Sequence, residues 1–466
     1  MCVVKLKIFC VRFLLAGRLF VRNHRTEIII FCLAFAARLV FFHLIFWRYG
    51  EIGFAPPIND DSEGYLRLAI NLLRRGVFSI SAAEPFAPDA FRTPGYPLFV
   101  SIFYGATGAI AAVILAQNII AGFLAVFIYR LGLKFGKIAG LAAAALFSFD
   151  PTGIYWNNQL LSETLFATLL FFAVYFLGKA LDDFRYRHLT LAAAFLAASA
   201  YIRPVSTYLL PPLAVLLLIF LAIIKKIKFS RALLACLVFF ITGAALLAPW
   251  YLRNRFLFGV ADMSSASGDV GMGKYGAAIR AALPDAPMTE EMKRLAADAV
   301  NLKSSNQLLS SEAEKRLAGI YIRKYPLTFI KIISASFIPF FLGDGLQISL
   351  SVIFPDLSAS RVITDWNGNP VQLLSFLRGR IGLGAAVFWG GKLIWLTITA
   401  FMVLGLATAL VKKRAFSLTL LFAAVIFYFA LGSGIGSYSR FRYPVNPFIF
   451  ILAGYGFSVF ARRKNG

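Results

Sequence analysis

Residues 27–47 read EIIIFCLAFAARLVFFHLIFW, a run with one acid at its edge and one arginine, Arg38, inside it. A helix needs about 20 apolar residues to cross the hydrocarbon layer of a bilayer, and this run has that length. Working outward from it, nine further stretches are nearly free of charge: 110–131, 138–156, 159–178, 189–202, 205–224, 232–251, 384–411, 415–431 and 444–460. Of the 466 residues, 59% are hydrophobic and only 15% charged, whereas soluble domains are about half apolar and carry roughly a quarter charged residues. The expectation is an all-α polytopic membrane protein with about 10–12 transmembrane helices and amphipathic helices in the outer loops.

The net charge of +25 is sorted along the chain. Basic residues in short loops mark the cytoplasmic side. Lys5, Lys7, Arg12, Arg18, Arg22 and Arg25 precede the first span; Arg130, Lys134 and Lys137, then Lys179, Arg185 and Arg187, then Lys225, Lys226 and Lys228 follow alternate spans. Lys412, Lys413 and Arg414, and Arg462, Arg463 and Lys464, complete the series. Both termini are therefore expected inside, and loop 48–109 outside. The first apolar run is long and lacks a small-residue cleavage site after it, which reads as a retained span. One stretch, 326–345, is apolar but breaks the alternation. It lies in the interface or re-enters, or a second crossing follows near 346–357. Three regions result: an N-terminal transmembrane module, 1–251, holding loop 48–109; an outer amphipathic region, 252–325; and a C-terminal transmembrane module, 326–466.

The four cysteines form no CxxC and no Cys/His cluster, which argues against a structural zinc site.

Directly after the first span the chain reads PPINDDSEGY at 56–65. The following residues Tyr65, Leu68, Ala69, Leu72 and Leu73 recur at helical spacing, with Arg67, Arg74 and Arg75 among the polar positions. This is an amphipathic helix for the membrane surface. Asp60 and Asp61 stand at its start, where the helix dipole favours carboxylates; an N-cap accounts for either one, and Ser62 can cap as well. Arg92 precedes Thr93-Pro94-Gly95-Tyr96-Pro97, a turn stiffened by proline, and a fixed arginine suits bidentate phosphate binding. Further along, Asp150 and Glu163 stand at the outer ends of spans, as do Arg203, Arg253 with Arg255, and Arg440 and Arg442 with Tyr443. Arginine at such depths is an ordinary interfacial anchor, but the positive-inside rule depletes it on the outer face. Several together are what an anionic ligand needs.

The blocks DDSEGYLRLAINLLRRGVFS, RTPGYPLF, LSETLF at 161–166, RP at 203–204, PWYLRNRFLFG at 249–259 and RFRYPVNPFIFILAGYG at 440–456 resemble the GT-C superfamily of integral-membrane glycosyltransferases. The likeness is to bacterial members related to protein O-mannosyltransferases and to the aminoarabinose transferase of lipid A. It implies a polyprenyl-phosphate sugar donor, a lipid, glycan or protein acceptor, and a place in the bacterial cytoplasmic membrane with the active site outside. No nucleic-acid partner is expected. It implies Asp61, four residues before Tyr65, as catalytic base, with Asp60 the neighbouring candidate. It implies Arg92, Arg440 and Arg442 at the donor phosphate and Glu163 as a second acidic group at substrate; with them, Arg203 is expected at the phosphate, and Tyr65, Tyr96, Tyr443 and Arg253 at substrate. No cofactor is required, and a divalent cation at Asp60/Asp61 is left open. A cationic site can absorb the charge of a phosphate leaving group, and a carboxylate can take the acceptor proton. Two other readings compete with this one. An O-antigen-type polymerase places its large outer loop late, whereas here the early loop carries the acids. A transporter or flippase needs ionisable residues at mid-membrane; among the span centres Arg38 is the main exception to apolarity.

Overall fold

Each of the ten nearly charge-free segments contains a helix. The computed structural model describes residues 23–56, 60–352, 354, 383–434 and 439–464. In chain order the elements that matter here are α1 (Arg25–Tyr49), α2 (Asp60–Arg75), α3 (Gly95–Thr107), α4 (Ile110–Gly132), α5 (Lys137–Phe149), α6 (Pro151–Asn157), α7 (Glu163–Asp183) and α8 (Tyr186–Ile202). They continue with α9 (Leu210–Ile219), α10 (Phe229–Phe258), α11 (Glu290–Leu302), α12 (Gln307–Lys324) and α13 (Pro326–Leu342). The chain closes with α14 (Leu383–Val411), α15 (Phe416–Ser433), α16 (Ser439–Arg442) and α17 (Asn446–Lys464). Among the described residues, eight helices are long and apolar enough to cross a membrane, or up to ten if each of two bent pairs is one span. The protein is a multi-pass, all-helical membrane protein, and its candidate spans reach the lower edge of the expected 10–12 only if both bent pairs are counted.

Hydrocarbon offers no hydrophobic force between helices, so small residues that let backbones approach do much of the packing. Gly405 of α14 and Gly456 of α17 face each other backbone to backbone; a side chain on either would drive into the partner's carbonyl, Leu452 O or Phe401 O. Gly454 sits in the same way against Ala139 O of α5. One end of the bundle is closed by polar contacts between basic loops: Lys134 pairs with Asp182 at 2.8 Å, Arg130 with Glu27 at 3.3 Å, and Arg414 Nε donates to Lys134 O at 2.9 Å.

Four details differ from the sequence reading or settle it. The 138–156 span is broken by 55° between α5 and α6, because Asp150 caps α6 through Thr152 N at 3.2 Å and Pro151 starts the new helix. α10 does not stop at 251 but continues to Phe258 through Pro249, ending at Gly259 with φ +76°. The apolar stretch at 326–345 forms α13, bent by 104° from α12. Its first turn meets Tyr275 through Phe329, ring centres 5.5 Å apart, and its last carbonyls are held by Arg442. Along its length α13 packs against α15 through Phe337 and Phe427, ring centres 6.0 Å apart, and against α14 through Thr399 Oγ1, which donates to Phe341 O at 3.3 Å. The rival crossing near 346–357 shows a six-residue helix, Leu346–Ser351, before the chain leaves the described residues. Finally, α11 and α12 form as the amphipathic patches indicate, and share a small core of Ile279, Met292, Leu295, Ala299, Ala313, Leu317 and Tyr321.

Candidate active site

The site lies at the end of the bundle away from the basic loops, and its first member is Asp61. It stands in the first turn of α2, whose apolar face carries buried Tyr65, Leu68 and Ala69 inward. The Asp61 carboxylate accepts from Arg440 Nη2 at 2.7 Å and faces Arg92 Nη2 at 3.8 Å. Burial pushes its carboxyl up, but the charges of Arg440, then Arg203 and Arg92, prevail and hold it below the ordinary aspartate range.

Glu163 opens α7 and is fully buried. One oxygen accepts from both Arg203 Nη1, at 2.7 Å, and Arg440 Nε; the other, Oε2, has no hydrogen-bond partner among the described residues. Arg440 thus bridges the two acids. Arg203 reaches the cluster because α8 ends at Ile202 and the chain turns into Pro204. Arg92 reaches it because the proline turn is pinned: its own N–H donates to Asp89 Oδ1 at 2.8 Å, and Gly95 packs against Tyr201 O and Ile202. The Arg92 guanidinium lies over the Tyr65 ring at 5.6 Å and fills the space where a side chain at Gly64 would be. Five charged residues from distant parts of the sequence therefore converge, three arginines around two carboxylates.

The aromatic candidates stand beside and behind this cluster. Tyr65 OH donates to Ser162 Oγ at 3.3 Å, next to Glu163, and its ring meets Tyr96 edge-on at 4.7 Å. Tyr96 is buried and donates to Gln117 Oε1 at 2.6 Å; Gln117 in turn donates to the carbonyls of Asn157 and Gln159. Arg253 does not touch Asp61. It donates to Asp89 O at 2.9 Å and stacks over Trp250 at 4.5 Å, so it anchors the loop that carries Arg92.

Two of the sequence candidates point away from the cluster. Arg442 is buried and donates to Phe340 O, Phe341 O and Gly343 O at 2.6, 3.1 and 2.6 Å, tying down the end of α13. Tyr443 donates to Asn157 Oδ1 at 2.8 Å inside the helical core. Arg38, the charge inside the first span, is equally buried: it donates to Phe147 O and Ser148 O, the last carbonyls of α5, and to Asn157 Oδ1 at 3.1 Å. It closes the broken helix end left at Asp150. A buried arginine satisfied by carbonyls gives no support to an ion pathway.

Asp60 begins α2, but its side chain lies outside the described residues. Among the described residues no group of three or more His, Cys, Asp or Glu side chains could hold a metal ion, and Asp61 and Glu163 are both engaged by guanidinium groups.

The crowding at Gly64 gives a first test. Gly64→Ala is expected to push the Arg92 guanidinium aside rather than unfold α2, since the clash is with the end of a flexible side chain. A displacement of about 1 Å near reacting groups can cost up to about 100-fold in rate. Turnover should fall on that scale while the unfolding temperature in micelles barely moves; a loss of folding instead would mean that α2 cannot accept the methyl group.

Residues 92–245 match the family described as dolichyl-phosphate-mannose-protein mannosyltransferase. Among solved structures, the oligosaccharyltransferase of Archaeoglobus fulgidus in its apo form is similar over 93% of this chain and 51% of its own, with a TM-score of 0.51 and 15% sequence identity. The chain thus spans about half the length of that enzyme. The archaeal oligosaccharyltransferase AglB from the same organism, in complex with an inhibitory peptide and a dolichol-phosphate, superposes with a TM-score of 0.49 at 15% identity, over 93% and 50% of the two chains. ArnT from Cupriavidus metallidurans bound to undecaprenyl phosphate gives 0.38 at 13% identity, over 95% and 79%. No curated protein matches the chain. The matched segment carries Arg92, Glu163 and Arg203, and both it and the helical fold bear out the resemblance read from the motifs, that of the chain to the GT-C membrane glycosyltransferases.

Proposed function

We propose that the protein transfers a sugar from a polyprenyl-phosphate donor to an acceptor hydroxyl at the outer face of a bacterial cytoplasmic membrane, with inversion at the anomeric carbon. The observation that carries this reading is the convergence of Arg92, Arg203 and Arg440 around Asp61 and Glu163. The family matched over 92–245, named for a dolichyl-phosphate sugar, supports a lipid-linked donor in general.

The Asp61 carboxylate accepts the proton of the acceptor hydroxyl as its oxygen attacks the anomeric carbon. The bond from that carbon to the phosphate oxygen breaks, and its electron pair leaves with the lipid phosphate. Arg92, Arg203 and Arg440 meet the charge that develops there, in a site that needs no reorganisation at that moment. Glu163 holds two of those arginines in place. Tyr65 and Tyr96 form the aromatic wall beside Asp61, and Arg253 fixes the loop of Arg92. Region 1–251 then supplies Asp61, Arg92, Glu163 and Arg203, and region 326–466 supplies Arg440.

The test is turnover of a panel of polyprenyl-phosphate sugars by membranes containing the protein. Consumption of one donor with release of the free lipid phosphate is the expected result. Movement of labelled lipid between leaflets without consumption of any donor would replace this reading with a transporter.

A further inference from the structure

Residues 268–276, GDVGMGKYG, pack as helical turns against α12, and Gly268 lies so close to Ser311 that no side chain would fit. From this segment two side chains reach back to the end of α15. Tyr275 OH donates to Leu431 O at 2.5 Å. Lys274 Nζ donates to Ser433 O at 3.2 Å and lies 3.9 Å from the centre of the Phe441 ring, the neighbour of Arg440. Among the described residues no carboxylate pairs with Lys274. Asp61 and Glu163 are shared among the arginines, and on α12 Glu314 stands near Asp269 and Lys303, while Lys315 pairs with Asp262. Burial pushes the Lys274 ammonium down to about 8, and the charges of Arg203 and Arg440 push it the same way. A half-buried ammonium that feels the charge of two guanidinium groups, with a carbonyl as its partner and the neighbour of Arg440 beside it, is a place where an anion is drawn in.

We propose that Lys274 is a further cation of the site, contacting through Nζ the phosphate of the lipid-linked donor beside Arg203 and Arg440, and that residues 268–276 are the segment that carries it there. The inference rests on the lipid-phosphate reading of the Asp61 cluster. It assigns to the amphipathic outer region a direct part in holding the donor. A lysine serves here as a compact point charge on a flexible stem, unlike the planar arginines.

The experiment measures binding of undecaprenyl phosphate to the purified full-length protein in micelles, with phosphatidylglycerol as a second probe. Lys274→Met is expected to weaken undecaprenyl phosphate binding by about tenfold or more, the scale of one lost charge-assisted hydrogen bond. Lys274→Arg, which keeps the charge and any tie to Ser433 O, should bind far closer to wild type. Wild-type affinity in Lys274→Met overturns the assignment. So does an equal loss for phosphatidylglycerol, which would make Lys274 a contact to bilayer head groups. Equal loss in both variants, alongside a lowered unfolding temperature, overturns it in favour of a structural tie to α15. If the wild-type protein binds no undecaprenyl phosphate, the lipid-phosphate reading fails together with this one.

Discussion

Asp61→Asn is expected to remove the proposed sugar transfer and to leave the protein in its membrane. Loss of a positioned general base typically costs about 10²–10⁴ in rate, and that is the fall in kcat expected here. The amide keeps the shape of the side chain but cannot accept the proton, and it gives up the charge that pairs with Arg440 at 2.7 Å. Rapid-quench turnover of the donor identified in the panel reads the effect directly. Variant protein that retained more than about a tenth of wild-type turnover, well short of that loss, would move the base to Asp60. The pH dependence follows from the same contacts. Because the arginines hold the Asp61 carboxyl below its ordinary range, the base stays ionised as pH falls through the usual carboxylate range. Activity, and the stability that the ion pair contributes, are both present above the unfolded-state pKa and are lost only as pH falls through the lower, folded-state value. An activity limb near pH 6 would show that another group supplies the base.

Arg442→Ala has its main effect on folding, in contrast to Arg440→Ala, two residues away. The Arg442 guanidinium satisfies three carbonyls at the end of α13 and also donates to Asn446 Oδ1 at 3.3 Å. It stacks on Trp395, 3.2 Å from the ring centre. Truncation removes the donor from Phe340 O and Gly343 O, at about 1–3 kcal/mol for each unsatisfied group, while Phe341 O keeps Thr399 Oγ1 at 3.3 Å. A total loss of about 3 kcal/mol or more places the variant among the severe ones. Thermal unfolding in micelles should show a large drop in the apparent melting temperature. Arg440→Ala should fall mainly on turnover, through the Asp61 and Glu163 contacts. Equal and small changes in melting temperature for the two variants would contradict the division of labour between them.

The contrast between these two arginines shows where sequence reading succeeds and where it stops. Long apolar runs translate directly into helices, because in hydrocarbon the backbone must satisfy itself internally, and all ten runs contain one. The order of acids and arginines at the span ends likewise placed Asp61, Arg92, Glu163, Arg203 and Arg440 at one end of the bundle, where the structure brings them together. Arg440 and Arg442 could not both be there. Residues two apart on a helix point to different sides, and nothing local says which of the pair turns inward. Asp150 and Arg38 were legible as costly charges in apolar segments, but their mutual circumstance, a broken helix whose last carbonyls Arg38 satisfies, depends on contacts more than 100 positions apart. Lys274 lay in a mixed-charge stretch with no signal of its own. Its position depends on the packing of that stretch against α12 and α15.

The glycine contact between α14 and α17 bears on how variation in this chain will be read. α17 is a stiff rod that begins at Asn446, about 15 Å before Gly456 at 1.5 Å per residue, and Arg440 stands just ahead of it. A methyl group at Gly405 or Gly456 would wedge the rod away from its neighbour, and the rod acts as a lever. A small tilt at the crossing becomes a displacement of Arg440 at the far tip. Deep mutational scans should therefore find these two glycines among the positions intolerant for activity, although neither comes near the reacting atoms. An inactive allele at either one would be a fault of alignment, correctable in principle by a compensating change in the facing helix, whereas an inactive allele at Asp61 would have no such second-site cure.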